Sequence, residues 1–462
     1  MSFKLARIAG VCAGLAVASP VLAQESLQQE LARLKSQMQQ MMSAYERQIS
    51  SLESRLKAVE QKAAEAPPQT AAAPSALQRA ITPTAPPPTG SVAAPGGVAR
   101  PAASGSAFNP EIGVVLDGRY SAFSKDPATY TIPGFALGGE ANPGPRGFAL
   151  GESELNFSAN VDQWLYAAAT IAFEREGDVS VEEAFVQSTS LPWGFTARGG
   201  RFFGAFGYLN SRHKHVWDFA DAPLPYLAFL GGQYGDDGVE LRWLAPTDIF
   251  LEFGGGVSRG DAFPAGGAAN RGVGAWNVFA HLGDDIDEAS SYRLGAGLLQ
   301  ARAHDRATDN DANLFTGVSN TGIFDAVYTW APDGNPVETN LKLQAEYFLR
   351  QERGMFNGTD FIGHQHGWYA QAAYQFMPRW RVGVRYDRVY AEPIEPTFAG
   401  AVLDNMSHAP KRYAAMMDYS TSEFGRFRLQ YNRDESRPNN EIDHQVILQY
   451  TVSFGAHPAH SY

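Results

Sequence analysis

The chain has 462 residues, an acidic formal net charge of -12 and 12% aromatic residues. This acidic balance argues against nucleic acid as a partner. Its one cysteine, Cys12, lies in a segment that we expect to be removed, so the mature chain has no disulfide and no cysteine ligand or nucleophile.

Residues 1–23 read as a secretory signal peptide. Lys4 and Arg7 form a positive n-region, residues 8–18 are apolar, and residues 21–23 fit a small-residue cleavage site. The alternative, a retained membrane anchor, agrees less well with the sequence because the apolar run is short against the ~20 residues of a spanning helix. No later stretch reaches ~18 consecutive apolar residues either, so no transmembrane helix is expected.

Residues 24–65 lack glycine and proline and are rich in Gln, Glu, Lys, Leu and Met. Their apolar residues recur at steps of three and four, which is the a/d pattern of a coiled coil. We therefore predict a periplasmic coiled coil that brings copies of the chain together; a single amphipathic helix lying on a surface is the alternative. The apolar positions are Leu27, Leu31, Leu34, Met38, Met41, Tyr45, Ile49, Leu52, Leu56 and Val59.

Residues 66–107 are rich in alanine and proline. Proline disfavours both helix and sheet and favours extended polyproline stretches. We interpret this segment as a periplasmic linker between the coiled coil and the rest of the chain.

In residues 108–462, apolar and polar residues alternate with a period of two. In the first predicted strand, 111–123, apolar Ile112, Val114 and Leu116 alternate with polar residues. About sixteen such segments follow one another, with short connections after even-numbered strands and mostly longer ones after odd-numbered strands. This series predicts an all-β fold, a transmembrane antiparallel barrel of the outer membrane with its short turns in the periplasm.

Tryptophans support the same orientation. Amphipathic aromatic rings collect at the membrane interfaces of such barrels, and a soluble β protein with aromatic turns is the alternative. The tryptophans that adjoin connections predicted to be short are Trp164, Trp193, Trp243, Trp330 and Trp380.

A long loop, residues 204–234, separates the fifth and sixth predicted strands. Long loops of this kind are usually functional. The preceding run at 197–204, ARGGRFFG, is similar to the strand before the constriction loop of phosphate-selective porins of the O/P type. The architecture resembles a trimeric sixteen-stranded porin, and the coiled coil resembles sugar and dicarboxylate porins with periplasmic extensions.

The resemblance implies a passive channel with a loop folded into the lumen and three pores in each assembly. Phosphate-selective relatives line the pore with many basic side chains. The loop of this chain has only Arg212 and Lys214, so phosphate selectivity is not expected.

Alternation places a group of arginines on the lumen side of adjacent strands, while the loop contributes Asp218 and Asp221. Opposed acidic and basic rows would create a transverse field that selects solutes by charge and polarity. Alternatively, each arginine pairs with an acid of the wall, namely Glu152, Glu154, Asp387 or Asp418. The predicted lumen arginines are Arg119, Arg381, Arg385, Arg412, Arg426 and Arg428.

Two His-x-His pairs suggest a metal site. His213 and His215 lie in the long loop, with Asp218 close enough in sequence to add an oxygen, and His364 and His366 lie at another predicted loop. In an extended segment the two imidazoles of such a pair point to the same side, which suits zinc or a similar ion. The alternative is that all four are ordinary solvated histidines.

Together these features predict a homotrimeric outer-membrane porin for passive diffusion of small hydrophilic solutes or ions. Uptake of a divalent, zinc-like metal and a structural envelope tether are the alternatives. No cofactor and no enzyme activity are expected, because no Ser-His-Asp group can be placed with confidence. A receptor with a folded plug would need about twenty-two strands.

Overall fold

A computed structural model describes residues 110–138, 141–173, 178–266, 272–308, 313–393, 396–398 and 400–455. The predicted signal peptide, coiled coil and linker lie outside the described residues. Across these ranges, no helix is both long and apolar enough to cross a membrane.

The described residues form one antiparallel sheet that closes on itself. The first and last strands pair from Gly113 with Gly455 to Phe123 with Gln445, so the wall is complete. The strands are β1 (Glu111–Phe123), β2 (Gly147–Leu150), β3 (Ser153–Asn160), β4 (Leu165–Phe173), β5 (Val179–Ser188), β6 (Phe195–Phe203), β7 (Gly235–Leu244), β8 (Phe250–Ser258), β9 (Ala275–Asp287), β10 (Ser290–Thr308), β11 (Asn313–Trp330), β12 (Asn340–Phe356), β13 (Thr359–Met377), β14 (Trp380–Ala391), β15 (Lys411–Ser422), β16 (Gly425–Glu435) and β17 (Asp443–Gly455).

Although seventeen strands are present, β2 and β3 both pair with β1 and occupy one position in the wall, which gives sixteen positions. The break between them includes Gly151, where a Cβ atom would lie 2.3 Å from the Asp117 carboxylate. Only glycine allows the chain to pass so close. The predicted antiparallel barrel of about sixteen strands is confirmed.

Side chains alternate between the two faces of the wall, as β17 illustrates. Val446, Leu448 and Tyr450 are exposed on the outside, whereas Gln445 and Gln449 are buried inside. The same alternation of apolar outside and polar inside residues continues on the neighbouring β16. This is the residue distribution of a barrel whose outer face meets lipid and whose inner face is polar.

The two ends of the barrel differ. At one end, the turn end, connections are short, for example 161–164, 288–289 and 378–379; at the other, the loop end, 124–146 and 204–234 are long. All five tryptophans named above lie in or beside connections at the turn end. The predicted alternation of short and long connections is therefore present.

The wall also differs from the sequence prediction along β9 to β13. The sequence predicts connections at 283–290, about 303–320 and 351–366, but the structure extends the strands through most of them. The hairpin between β12 and β13 turns at Asn357-Gly358, where both residues have positive φ, as a two-residue hairpin turn requires. The apolar alternation fades there because polar residues such as His364 occupy outward positions.

The lumen is filled in part by two loops from the loop end. The inserted loop (residues 204–234) contains the helix α1 (Leu224–Leu230), all of whose residues are buried, and ends it with Gly231 at a φ of 65°. Gly231 supplies the left-handed cap that commonly ends a helix. Loop 124–146 packs against α1, with the Phe135 and Phe229 rings 5.6 Å apart. An apolar core thus lies inside the wall.

Candidate functional site

The inserted loop follows β6 and precedes β7, with the bounds that the sequence predicts. It is held first by Glu346 on the lumen side of β12. This carboxylate accepts hydrogen bonds from the backbone N–H groups of Tyr208 and Leu209, each at 3.1 Å, and from the Tyr226 hydroxyl at 2.8 Å. Gly207 beside it has a φ of 77°, and a Cβ there would lie 2.9 Å from the Tyr226 oxygen.

Further along, the loop meets four glutamates of the wall, Glu152, Glu154, Glu182 and Glu183, which we call the acidic face. The first of these accepts a 2.6 Å ion pair from Lys214 Nζ. The other three surround His213 and His215: His215 Nδ1 lies 2.7 Å from Glu154 Oε1, His213 Nδ1 lies 3.1 Å from Glu182 Oε2, and His213 Nε2 lies 3.1 Å from Glu183 Oε2.

A β-bulge explains why two adjacent glutamates face the same side. Thr170 pairs with Glu183 but Ile171 pairs with Val181, so Glu182 is an extra residue in β5. In a regular strand, neighbours point to opposite faces, and a bulge redirects the extra side chain. Both carboxylates therefore reach His213.

The six predicted arginines, which we call the basic face, lie on β14, β15, β16 and β1. Each contacts the inserted loop, and five of them donate hydrogen bonds to backbone carbonyls of loop residues. These bonds are Arg426 to His215 at 2.7 Å, Arg428 to Trp217 at 3.0 Å, Arg119 to Ala220 at 2.8 Å, Arg385 to Asp221 at 2.9 Å, and Arg412 to Ala222.

The two loop aspartates bind the same face. Asp218 forms ion pairs with Arg381 at 2.9 Å and with Lys342 at 2.8 Å. Asp221 forms ion pairs with Arg385 and Arg412, each at 3.0 Å. The expected transverse field requires a gap between acidic and basic rows, whereas these acids lie in direct contact with their arginines.

The arginines also pair with acids of the wall. Asp387 lies 2.9 Å from Arg385 and 3.0 Å from Arg412, and Asp418 lies 3.0 Å from Arg381 and 2.8 Å from Arg428. Wall carboxylates hold the guanidinium groups in place, and the remaining donors hold the loop.

These surroundings shift the ionisation of the loop residues. Burial raises the pKa of Asp221, but the charges of Arg385 and Arg412 lower it more, to about 2. For Asp218 burial is likewise outweighed, by Lys342 and Arg381, so its pKa lies well below the ordinary value. Burial lowers the pKa of His213, but Glu154 and Glu182 raise it well above the ordinary value.

The predicted metal ligands are brought together only in part. The rings of His213 and His215 stack with centroids 5.7 Å apart, and both histidines face Glu154. Asp218, the expected oxygen ligand, instead lies with Lys342 and Arg381. His364 and His366 lie in β13 rather than in a loop, and they occupy outward positions of the wall.

Sequence reasoning missed several residues that hold the loop. Glu346 occupies an inward position of β12, and alternation alone could have placed it on the lumen side. Its partners, however, are backbone N–H groups, and no sequence motif predicts such partners. Lys342 on the same strand and the adjacent pair of Glu182 and Glu183 were missed too. Two consecutive acids within a barrel strand are a usable signal, because strict alternation would place one of them in lipid.

No family model matches the chain. An uncharacterized protein of Aquifex aeolicus (strain VF5) is 29% identical over 392 residues, which cover 78% of this chain and 81% of that protein. The anion-selective porin from Comamonas acidovorans is 10% identical and covers 75% of this chain and 99% of its own, with a TM-score of 0.48. The outer membrane channel DcaP of Acinetobacter baumannii is 13% identical and covers 75% and 96%, with a TM-score of 0.47. None of these likenesses assigns a function to the chain.

Proposed function

We propose that the chain is an outer-membrane porin through which small hydrophilic solutes or ions diffuse passively, and that the inserted loop narrows the pore. The observation that carries this proposal is the loop itself. It starts from β6 and returns to β7, is fastened to the acidic face, and reaches across the lumen of a closed barrel to Glu346 on β12 and to the arginines of β14 and β15. A loop held in this way restricts the bore without closing the wall.

The surfaces of the barrel support the location. Exposed side chains such as Val384, Phe427 and Leu448 form an apolar exterior, which a lipid bilayer would cover. The coiled coil predicted at 24–65 would lie in the periplasm. Together with the barrel it favours a homotrimer, since a heptad seam brings chains together.

The solute selectivity would depend on the lining of the narrowed pore. Arg119 on the basic face, Glu182 on the acidic face and Lys214 in the inserted loop keep part of their side chains accessible. Rings and patches of such charges set the selectivity of water-filled pores. We therefore assign Arg119, Arg381, Arg385, Arg412, Arg426, Arg428, Asp218 and Asp221 to the constriction, as residues that fix its shape and field.

Planar-bilayer recording of the purified full chain tests the proposal. We expect stepwise insertion, ion-selective currents and closure in three steps for a trimer. A variant that lacks the middle of the inserted loop should conduct more than the wild type, because the bore would widen. A folded protein that conducts no current would instead favour the structural envelope tether.

Uptake of a divalent metal is the second candidate function. The cluster of His213 with three glutamates favours it, because such donors suit a divalent cation. Selective permeation of zinc over potassium, measured from reversal potentials, would support this candidate. A zinc permeability no greater than that of magnesium would contradict it.

A further inference from the structure

The junction between the inserted loop and the acidic face brings Glu154, Glu182 and His213 together. One ligand atom from each lies within 4.8 Å of the others, and no other such group of three occurs among the residues that the structure describes. The three come from β3, β5 and the inserted loop, so the junction ties two wall strands to the loop. A mixed set of one imidazole and two carboxylates is a donor set that zinc and related ions accept.

Two of the three separations of the donor atoms fit a tetrahedral ion. His213 Nδ1 lies 3.1 Å from Glu182 Oε2 and 3.5 Å from Glu154 Oε2. Bonds of roughly 2.0 to 2.2 Å in a tetrahedron separate neighbouring ligand atoms by about 3.3 to 3.6 Å. The third separation, between the two carboxylates, is at most 4.8 Å, so a small movement of the glutamate side chains would place the three atoms around one ion, with a fourth position left for water or solute.

A second layer of contacts orients the ligands. His213 Nε2, the ring nitrogen away from the proposed ion, lies 3.1 Å from Glu183 Oε2. Glu154 has its other oxygen, Oε1, 2.7 Å from His215 Nδ1. A carboxylate that fixes the far nitrogen of a metal-binding histidine is the usual outer layer of such sites. The bulge at Glu182 supplies this carboxylate and one ligand from consecutive residues.

The charge of the junction also calls for a cation. Four glutamates are gathered there, Glu154 is fully buried, and Lys214 pairs with Glu152 at 2.6 Å. The nearby Arg198 forms its ion pair with Glu240 at 3.0 Å and acts on Glu183 through its charge alone. Buried carboxylates are costly unless a positive charge balances them. A divalent ion would supply that charge and replace a proton on Nδ1.

We propose that this junction is a binding site for one divalent transition-metal ion, with His213 Nδ1, Glu154 Oε2 and Glu182 Oε2 as ligands. Bound there, the ion fastens the inserted loop to β3 and β5. Metal binding is independent of the proposed function; only an effect of the metal on the current rests on it.

Equilibrium dialysis of the folded, chelator-treated full chain against Zn²⁺, followed by metal analysis, tests the site. We expect one specific zinc ion per chain. Glu182→Gln, which keeps the shape of the side chain, should weaken binding at least tenfold, and so should His213→Ala. Glu183→Gln should weaken it about tenfold through the orientation of His213. Zinc binding that Glu182→Gln and His213→Ala leave unchanged overturns the proposal.

The chain offers matched controls. His281 lies 2.9 Å from Glu252 in a second buried His–Glu pair, so His281→Ala removes a similar contact and should leave zinc binding unchanged. His457→Ala with His460→Ala removes the two histidines nearest the C-terminus and should have no effect either. Loss of the specific zinc with any control variant would contradict the assignment.

Cobalt gives a second measurement that does not depend on affinity. Co²⁺ at the site should show the strong visible absorption of four-coordinate geometry, and Glu182→Gln should abolish it; weak octahedral bands in the wild type would contradict the proposed ligands. Current recordings then separate the two proposals. If the folded barrel binds zinc but conducts no current, the channel proposal is refuted and the metal site stands. If the barrel conducts current but binds no specific zinc, the metal-site proposal is refuted.

Discussion

The acidic and basic faces hold the same loop by different chemistry. The basic face uses guanidinium groups, which stay charged at any ordinary pH, and most of its hydrogen bonds to the loop end on backbone carbonyls. The acidic face uses carboxylates, and they contact the side chains of three consecutive loop residues, His213, Lys214 and His215.

This difference separates contacts that fix the backbone path of the loop from contacts that depend on the identity of its side chains. A carbonyl is present at every residue, so the basic face holds the path of the loop at 215–222 with little regard to its side chains, apart from Asp218 and Asp221. The acidic face holds specific side chains, and substitutions at 213–215 remove its contacts altogether. Permanent charge therefore fixes the course of the loop, while ionisable and metal-binding groups adjust one part of it.

The largest loss of stability is expected from a substitution in the basic face. Arg412→Ala removes the arginine beside buried Asp434 and leaves Asp387 and Asp221 with Arg385 alone, and it also frees the Ala222 carbonyl. Removing one partner of a buried ion pair costs about 3 to 5 kcal/mol. We expect that loss in the free energy of unfolding, measured by urea titration of the folded barrel, together with noisier and larger single-channel currents.

Arg433→Ala is the matched control for that variant. Arg433 is an exposed arginine on the outward face of β16 and pairs with Glu435 at 2.9 Å. Exposed pairs contribute about 0 to 1 kcal/mol. A loss as large as that of Arg412→Ala would show that lumen contacts are not what the first variant removes.

In the metal-free protein, a substitution in the acidic face is expected to cause a smaller loss of stability. Glu154→Gln removes the carboxylate that His213 and His215 share. Imidazoles can become neutral and arginines cannot, so the partners left behind are less costly. We expect a loss of about 1 to 3 kcal/mol in the free energy of unfolding. Exposed Glu338→Gln should have no measurable effect, and a loss equal to that of Arg412→Ala would remove the distinction between the faces.

Acid should weaken the basic face only at very low pH. Because Arg385 and Arg412 lower the pKa of Asp221 from 3.8 to about 2, its ionised form contributes stability that is complete above about pH 4. That contribution, on the order of 2 kcal/mol, is lost as the pH falls through about 2. Gln430 and Asn432, the other groups that face this carboxylate, do not titrate.

Comparison of the wild type with Asp221→Asn between pH 7 and pH 2 measures this contribution. The difference in the free energy of unfolding should stay constant down to about pH 4 and then shrink. A difference that already shrinks near pH 6 would mean that another group controls the basic face.

The smallest effect concerns ion selectivity. Lys214 is partly accessible and pairs with Glu152, so Lys214→Gln leaves the acidic face less neutralised. The ratio of cation to anion permeability, from reversal potentials in a salt gradient, should rise by about twofold, which corresponds to about 0.4 kcal/mol. Lys125→Gln, which changes an accessible lysine paired with Glu441 in the outer loops, should leave the ratio unchanged. An equal rise in both variants would point to the overall charge of the protein rather than to the constriction.

Much of the wall follows from alternation alone. The sequence predicts β1 with the bounds Glu111–Phe123 that the structure has, and it places all six arginines on the lumen side of their strands. The two-residue repeat of a strand determines whether a side chain faces the lumen or the lipid, because neighbouring side chains in a strand point in opposite directions. The position of the inserted loop follows in the same way, from the two strands that bound it.

Contacts across the lumen could not be predicted in this way. Arg428 reaches the Trp217 carbonyl, which is 211 positions away in the chain, and a backbone acceptor leaves no mark in the sequence. The bulge that turns Glu182 inward breaks the very rule on which the prediction rests. Asp218 was placed beside the histidines by its nearness in sequence, whereas the turn at 214–216 directs it to Lys342.

The unequal length of the strands has a consequence for the cell surface. β10 and β13 each have 19 residues, whereas a tilted strand needs only ~9 to 11 to cross a bilayer. In an outer membrane, part of these hairpins would stand clear of the lipid as a one-sided collar of paired sheet. Hydrogen-bonded strands, with the Asn357-Gly358 turn at the tip of one hairpin, would then form part of the surface that faces outward on that flank.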